Sequence, residues 1–167
     1  MSLARLVHRL KEGLAAVEDR RPRLSGQAGG PSSPTDPLRV STAAVLLEIG
    51  YADGTFSPEE GEDLTGYLQR AFGLSADEAG EIIDEAAEIR NRTIDHFALT
   101  NYIRKNASLD ERVEIVKTMW RMVYSDGKLT DYENYLVRKL ADLLGLEHHV
   151  MIEAKVAVLR DMGMATQ

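Results

Sequence analysis

Apolar residues recur at helical spacing along most of the 167-residue chain, and no window alternates with the period of two that is typical of strands. The pattern therefore predicts an all-α protein. Residues near Val40 to Tyr51 are apolar on almost every side, which indicates a central, buried helix. Further helices are predicted to begin at Pro58, at Ala76 and near Ile94, after which the pattern restarts near residue 109.

Four predicted helix starts carry a capping box. In this arrangement a Ser or Thr side chain accepts a hydrogen bond from the backbone N–H three residues on, while a Glu at that position reaches back. The four boxes are Ser57 with Glu60, Ser75 with Glu78, Ser108 with Glu111 and Thr130 with Glu133. They predict where four of the helices begin.

The sequences YADGTFSPEE, starting at Tyr51, and YSDGKLTDYE, starting at Tyr124, match at an offset of 73 residues. Each contains an Asp-Gly turn with a glutamate seven residues after the aspartate, and each follows a mostly apolar helix. We therefore predict a helical bundle built from an internally duplicated three-helix unit, with repeats at about 40–90 and 109–160 joined by a fourth helix. A pseudo-twofold arrangement would place the two turns at related positions.

The chain before this domain differs in composition. Residues 1–21 form a predicted amphipathic helix with a mostly basic polar side, and residues 22–37 form a flexible linker rich in Pro, Gly and Ser. The domain itself is predicted over residues 38–162. The basic helix is expected to dock on the domain or on a partner helix, or to make a peripheral membrane contact through residues 1–21.

Charge and composition exclude several classes of function. The chain has no cysteine, which excludes disulfides and thiolate chemistry, and no signal-peptide pattern, so the expected location is cytoplasmic. Residues 40–89 hold twelve acidic residues and one basic residue, which favours cations or a protein partner with a basic surface and disfavours nucleic acid. No nucleophile elbow, phosphate loop or zinc signature is present, and His96 has no recognisable partner, so we do not expect an enzyme.

The repeated Asp-Gly turn has three interpretations. In the first, the glycine supplies a left-handed turn and the glutamate only completes a capping box. In the second, duplication has copied residues that have no function. In the third, each turn is half of an EF-hand-like loop, with Asp at position 5, Gly at 6 and Glu at 12. The candidate metal ligands are then Asp53 and Glu60 in the first turn and Asp126 and Glu133 in the second.

Each turn lacks the first half of such a loop. Positions 1 and 3 would be Ile49 and Tyr51 in the first turn, and neither side chain is a carboxylate. Two carboxylates replace the four of a tight site, so the third interpretation predicts weak binding of a divalent cation of the calcium or magnesium type, and under the other two the turns bind no metal; no other cofactor is expected.

The duplicated turn, the helix ends Phe-Gly-Leu-Ser and Leu-Leu-Gly-Leu, and the connector DHFALTNYIRKN resemble the TerB-like domain over about residues 38–160. That domain is named for bacterial tellurite-resistance proteins and also occurs at the N-terminus of the co-chaperone DjlA. The resemblance implies an all-helical bundle, bacterial origin, a role in stress responses or assemblies at the inner membrane face, and cation binding through Asp53, Glu60, Asp126 and Glu133.

These inferences lead to two hypotheses for function. The first is a non-enzymatic TerB-like module of the tellurite-resistance or stress-response type, which binds divalent cations weakly at its paired turns and acts in a protein assembly. The alternative is a metal-independent acidic adaptor that joins proteins, similar to a co-chaperone interaction domain. The two differ in whether the acidic turns bind metal or only cap helices.

Overall fold

The computed structural model describes residues 36–52, 54, 56–92, 96–125 and 129–164, and the predicted N-terminal helix and most of the linker lie outside them. Every regular element in these ranges is an α-helix, so the all-α prediction is confirmed. The helices are α1 (Pro37–Gly50), α2 (Pro58–Phe72), α3 (Ala76–Arg92), α4 (His96–Asn106), α5 (Leu109–Tyr124), α6 (Asp131–Leu143) and α7 (His148–Asp161).

The helix starts follow the capping signals. All four predicted capping boxes form, each with its two reciprocal hydrogen bonds. Helix α1 begins earlier than the predicted start near Val40, because the Asp36 side chain accepts a hydrogen bond from the backbone N–H of Leu38 at 3.0 Å. Pro37 was predicted to be the last residue of the linker, but it is the first residue of α1. Proline suits this position because the backbone N–H of the first helical residue has no partner within the helix.

Helix α1 lies at the centre of the bundle. Its residues 39–50 are all buried, and it packs against α2, α3, α4, α5 and α6. This confirms the predicted central helix. The core continues into α5, whose largest fully buried side chains include Met119, Trp120 and Met122.

The packing of the helices shows the internal duplication. Helix α1 packs on α3 as α5 packs on α7, and α2 packs on α5 as α6 packs on α1. Helix α4 connects the repeats and packs on α1 and α6. The corresponding place on α5 and α2 is an open groove, so α4 makes the two halves different.

Candidate metal-binding turns

The first Asp-Gly turn closes directly after α1. The backbone N–H of Gly54 donates to the carbonyl of Tyr51 at 3.0 Å, and Gly54 has a φ of 88°, which favours glycine. Phe56 then folds back, stacks on the Tyr51 ring at a centroid distance of 5.1 Å and covers Gly50 so closely that no Cβ atom fits there. The turn is thus held against the end of α1 by aromatic packing.

The glutamate after each turn is buried and forms part of a capping box. Glu60 is 4% exposed, and its Oε2 accepts a hydrogen bond from the backbone N–H of Ser57 at 2.8 Å. Glu133 is 2% exposed, and its Oε2 accepts from the backbone N–H of Thr130 at 2.8 Å and from the Thr130 hydroxyl at 3.0 Å. The capping interpretation of both glutamates is therefore confirmed as a structural role.

The two turns leave the bundle from adjacent helix ends. Gly50 ends α1 and Met122 lies in the last turn of α5, and an added Cβ atom at Gly50 would be 3.3 Å from the Met122 methyl. The Asp-Gly dipeptides begin three residues after Gly50 and four residues after Met122. The duplication therefore starts both turns from one end of the bundle.

The donor chemistry of the described residues fits a hard divalent cation. A carboxylate has about four lone-pair sites, so a Glu that caps a helix still has acceptor capacity. All of the predicted ligands are carboxylates, the type that calcium and magnesium prefer. Asp53 and Asp126 lie outside the described residues, and within the described ranges no three His, Asp or Glu side chains gather where they could hold a metal ion.

Close to the first turn lies a charged cluster that the sequence did not reveal. Glu48 is buried in α1, and its Oε1 lies 2.6 Å from Nε of Arg90 at the end of α3. Its Oε2 lies 3.1 Å from Nε2 of His96 at the start of α4. His96 thus has a partner, contrary to expectation. The sequence feature that could have revealed this pair is the single acidic residue of a mostly apolar helix, since a buried charge requires a partner.

This cluster also reaches the Asp-Gly turn. The Arg90 guanidinium lies 4.4 Å from the centre of the Tyr51 ring, and that ring stacks on Phe56. A cation over an aromatic face is an attractive arrangement. The contacts therefore connect Glu48 in α1, through Arg90 of α3, to the two aromatic residues that flank the first turn.

Between α2 of the first repeat and α5 of the second, an open groove occupies the place equivalent to that of α4. It has a volume of about 550 Å³ and is lined by Asp63, Tyr67, Arg70, Ala71, Glu114 and Arg121. Burial raises the pKa of Asp63, although nearby Arg121 opposes the shift. Burial also raises the pKa of Tyr67 well above its usual range, and Glu111 and Glu114 raise it further. The groove is thus a polar surface.

Two further histidines lie on the surface. His148 and His149 are exposed at the start of α7, and Nδ1 of His149 lies 3.3 Å from a carboxylate oxygen of Glu147. In the part of the chain that the structure describes, no helix is long and apolar enough to cross a membrane.

Comparison with known proteins identifies one family. The family model described as tellurite resistance protein TerB matches residues 39–156. This range covers α2 to α6 completely and nearly all of α1, and it includes both Asp-Gly turns. Neither a curated protein nor a solved structure gives a match to the chain.

Proposed function

Because the chain belongs to the TerB family of tellurite resistance proteins, we propose that it binds divalent cations weakly at its two Asp-Gly turns. In this proposal it is a non-enzymatic component of a stress-response assembly in the bacterial cytoplasm. Cation binding would change the surface that its two turns present to a protein partner.

The observation that carries this proposal is the matched placement of the two buried glutamates. Glu60 and Glu133 are each fixed by a capping box directly after an Asp-Gly turn. The helices before the turns end beside each other, at Gly50 and Met122. A fixed carboxylate loses less conformational entropy on binding an ion than a free one, so the caps prepare both turns for a ligand.

The residues that would hold the cations are Asp53 with Glu60 in one turn and Asp126 with Glu133 in the other. A bound cation would supply positive charge to turns that otherwise concentrate negative charge. Because each turn offers two carboxylates, water and backbone carbonyls must complete the coordination, which is typical of weak calcium or magnesium sites. An oxygen-only donor set does not favour zinc, which binds His and Cys more strongly.

The test is an NMR titration of the full chain with calcium, magnesium, manganese and zinc at physiological salt. We expect saturable shifts at the amides of Gly54 and Gly127 with calcium or magnesium, and line broadening at the same amides with manganese. The variant with both Asp53→Asn and Asp126→Asn should lose these changes and keep its dispersed spectrum.

A matched control separates metal binding from capping. Ser57→Ala with Thr130→Ala removes the hydroxyl of both caps but leaves all four carboxylates, so it should lower stability more than it lowers cation affinity. Glu60→Gln with Glu133→Gln should do the reverse, since an amide oxygen still accepts the cap hydrogen bond. Absence of saturable shifts near either glycine in the wild-type protein would overturn the proposal.

A second candidate is the metal-independent adaptor. The observation in its favour is the exposed acidic side of α3, which carries Asp77, Glu81, Asp84 and Glu88. A partner with a basic surface would bind this side by charge complementarity. Partner capture that persists in excess chelator and is lost on charge reversal in α3 would support the adaptor over the cation-dependent module.

A further inference from the structure

The solvent side of α3 is a continuous acidic face, made of Asp77, Glu81, Asp84 and Glu88. All four side chains are exposed, and none makes an ion pair with any residue in the described ranges. Their spacing at three, four and seven residues keeps them on one side of the helix. Like charges three or four residues apart on a helix repel one another, and a bound basic segment would offset this repulsion.

Beside the acidic face runs a stripe of small and apolar residues. Gly80, Ile83 and Ala87 are half-buried and lie at positions i, i+3 and i+7 of α3. A Cβ atom added at Gly80 would meet no atom of the described residues within 4 Å, so these residues leave the surface there open. The stripe offers a shallow apolar contact with acids along one edge.

Glu85, which lies next to Asp84 in α3, is in an environment that disfavours its negative charge. Its Oε2 is buried and has no hydrogen-bond partner among the residues that the structure describes. Burial raises the pKa of Glu85, and Glu81 and Glu88 raise it further. A basic group brought to this side of α3 would relieve both the repulsion and the unpaired oxygen.

The chain itself contains a segment of complementary chemistry. Residues 3–17 have an apolar stripe at helical spacing, formed by Leu3, Leu6, Val7, Leu10, Leu14 and Val17. Basic residues accompany this stripe at Arg5, Arg9 and Lys11. An apolar stripe with basic edges matches the apolar stripe of α3 with its acidic edge.

The covalent connection also brings this segment close to α3. Glu48 near the end of α1 contacts Arg90 near the end of α3, so these helices run in the same direction, and Asp36 lies at the end of the bundle where α3 begins. The fourteen linker residues of 22–35 span about 21 Å on average as a flexible chain. A 17-residue helix is about 26 Å long, so the linker lets residues 3–17 reach any part of α3.

We propose that residues 3–17 of this chain dock on α3, with their apolar stripe on Gly80, Ile83 and Ala87 and their basic residues facing the acidic face. The docked segment covers the surface that a basic partner would use. It therefore competes with external partners for α3, and this role does not depend on cation binding at the turns.

Paramagnetic relaxation enhancement tests the docking directly. The chain has no cysteine, so Ser2→Cys allows a single nitroxide label next to the segment in the full-length protein. We expect loss of amide intensity along α3, centred on Ile83 and Ala87, and recovery after reduction of the label. Recovery is also expected at about 1 M salt, where the Debye length falls to about 3 Å.

Charge reversal gives the specific test. Asp84→Lys with Glu88→Lys should restore the α3 intensities in the labelled protein, and adding Arg5→Glu with Arg9→Glu should weaken them again. The matched control is Asp142→Lys with Glu153→Lys, which changes the net charge equally at exposed positions of the second repeat and should leave the broadening intact.

Other results would overturn the proposal. Broadening centred on the groove of Tyr67 and Glu114 would place the segment between α2 and α5 instead. No broadening anywhere would show that residues 3–17 stay undocked. Broadening of α3 that the Asp84→Lys, Glu88→Lys pair leaves unchanged would exclude recognition by charge.

One further result would support docking. If the broadening is lost only when anionic vesicles are added, the segment docks on α3 and the membrane competes for it.

Discussion

Glu48 and Arg121 occupy equivalent positions in the two repeats, yet they carry opposite charges and lie in different surroundings. Glu48 lies 2.6 Å from Arg90 of α3, and its side chain is 9% exposed. Arg121 lies 3.5 Å from Asp161 of α7, and that aspartate is 66% exposed. The duplication therefore keeps an ion pair between equivalent helices. The acid and the base have exchanged helices, and the pair in the second repeat is more exposed to solvent.

The difference follows from α4. This helix covers Glu48, and it packs on α1 and α6, where α6 presents Leu136 and Leu140 to the core. The equivalent positions in α2 are Asp63 and Tyr67, which line the open groove instead. A polar surface does not need a covering helix, whereas an apolar one does. The residues at these positions therefore differ between the side of the bundle that α4 covers and the equivalent side that it leaves open.

The largest effect is expected when each of the two charged residues is removed in turn. Glu48→Ala leaves Arg90 without its buried partner and should lower the free energy of unfolding by about 3 kcal/mol. Arg121→Ala removes half of an exposed pair and should cost less than about 1 kcal/mol. Urea unfolding at neutral pH measures both. Equal losses would show that burial does not distinguish the pairs.

A smaller effect is expected where the aromatic packing of the first turn differs from the second. Gly50→Ala forces a methyl group into the Phe56 ring and should cost about 1–2 kcal/mol, despite the better helix propensity of alanine. The second repeat has Val123 and Leu129 at these positions. Phe56→Leu should therefore recover part of the loss in the double variant. Strictly additive losses in thermal or urea unfolding would contradict this coupling.

The smallest effect concerns Asp63, whose equivalent is Leu136. Burial raises the pKa of Asp63 above its ordinary value of 3.8, so the folded protein binds this proton more tightly than the unfolded chain. The associated stability is present at low pH and is lost as the pH rises through the folded-state pKa. Asp63→Asn should therefore raise Tm slightly at neutral pH, and the difference should vanish near about pH 3. An unchanged difference across this range would exclude the ionisation of Asp63 as the cause.

The two Asp-Gly turns show which roles of a residue can be predicted from a short sequence motif. The capping roles of Glu60 and Glu133 follow from the four-residue Ser/Thr-x-x-Glu motif, and the structure confirms both. Binding of a cation at Asp53 and Asp126 stays a prediction, because a turn of this spacing serves a cap as well as an ion. The sequence proposes both uses, and a titration separates them.

Several features of this protein depend on sequence alone. The all-α class, the helix starts at the four capping boxes and the internal duplication rest on interactions within a few residues or on repeated spacing, so they can be read along the chain. The family match over residues 39–156 agrees with the repeated turn and its connector.

Other features were decided only by the tertiary structure. Glu48, Arg90 and His96 are up to 48 residues apart, and they meet because α3 and α4 both pack on α1. Likewise, the groove exists because α4 packs on α1 and α6 and leaves the equivalent place on α5 and α2 open. Local spacing cannot specify these contacts, since they depend on which helix faces which. A buried charge finds its partner only when packing brings the two side chains out of water together.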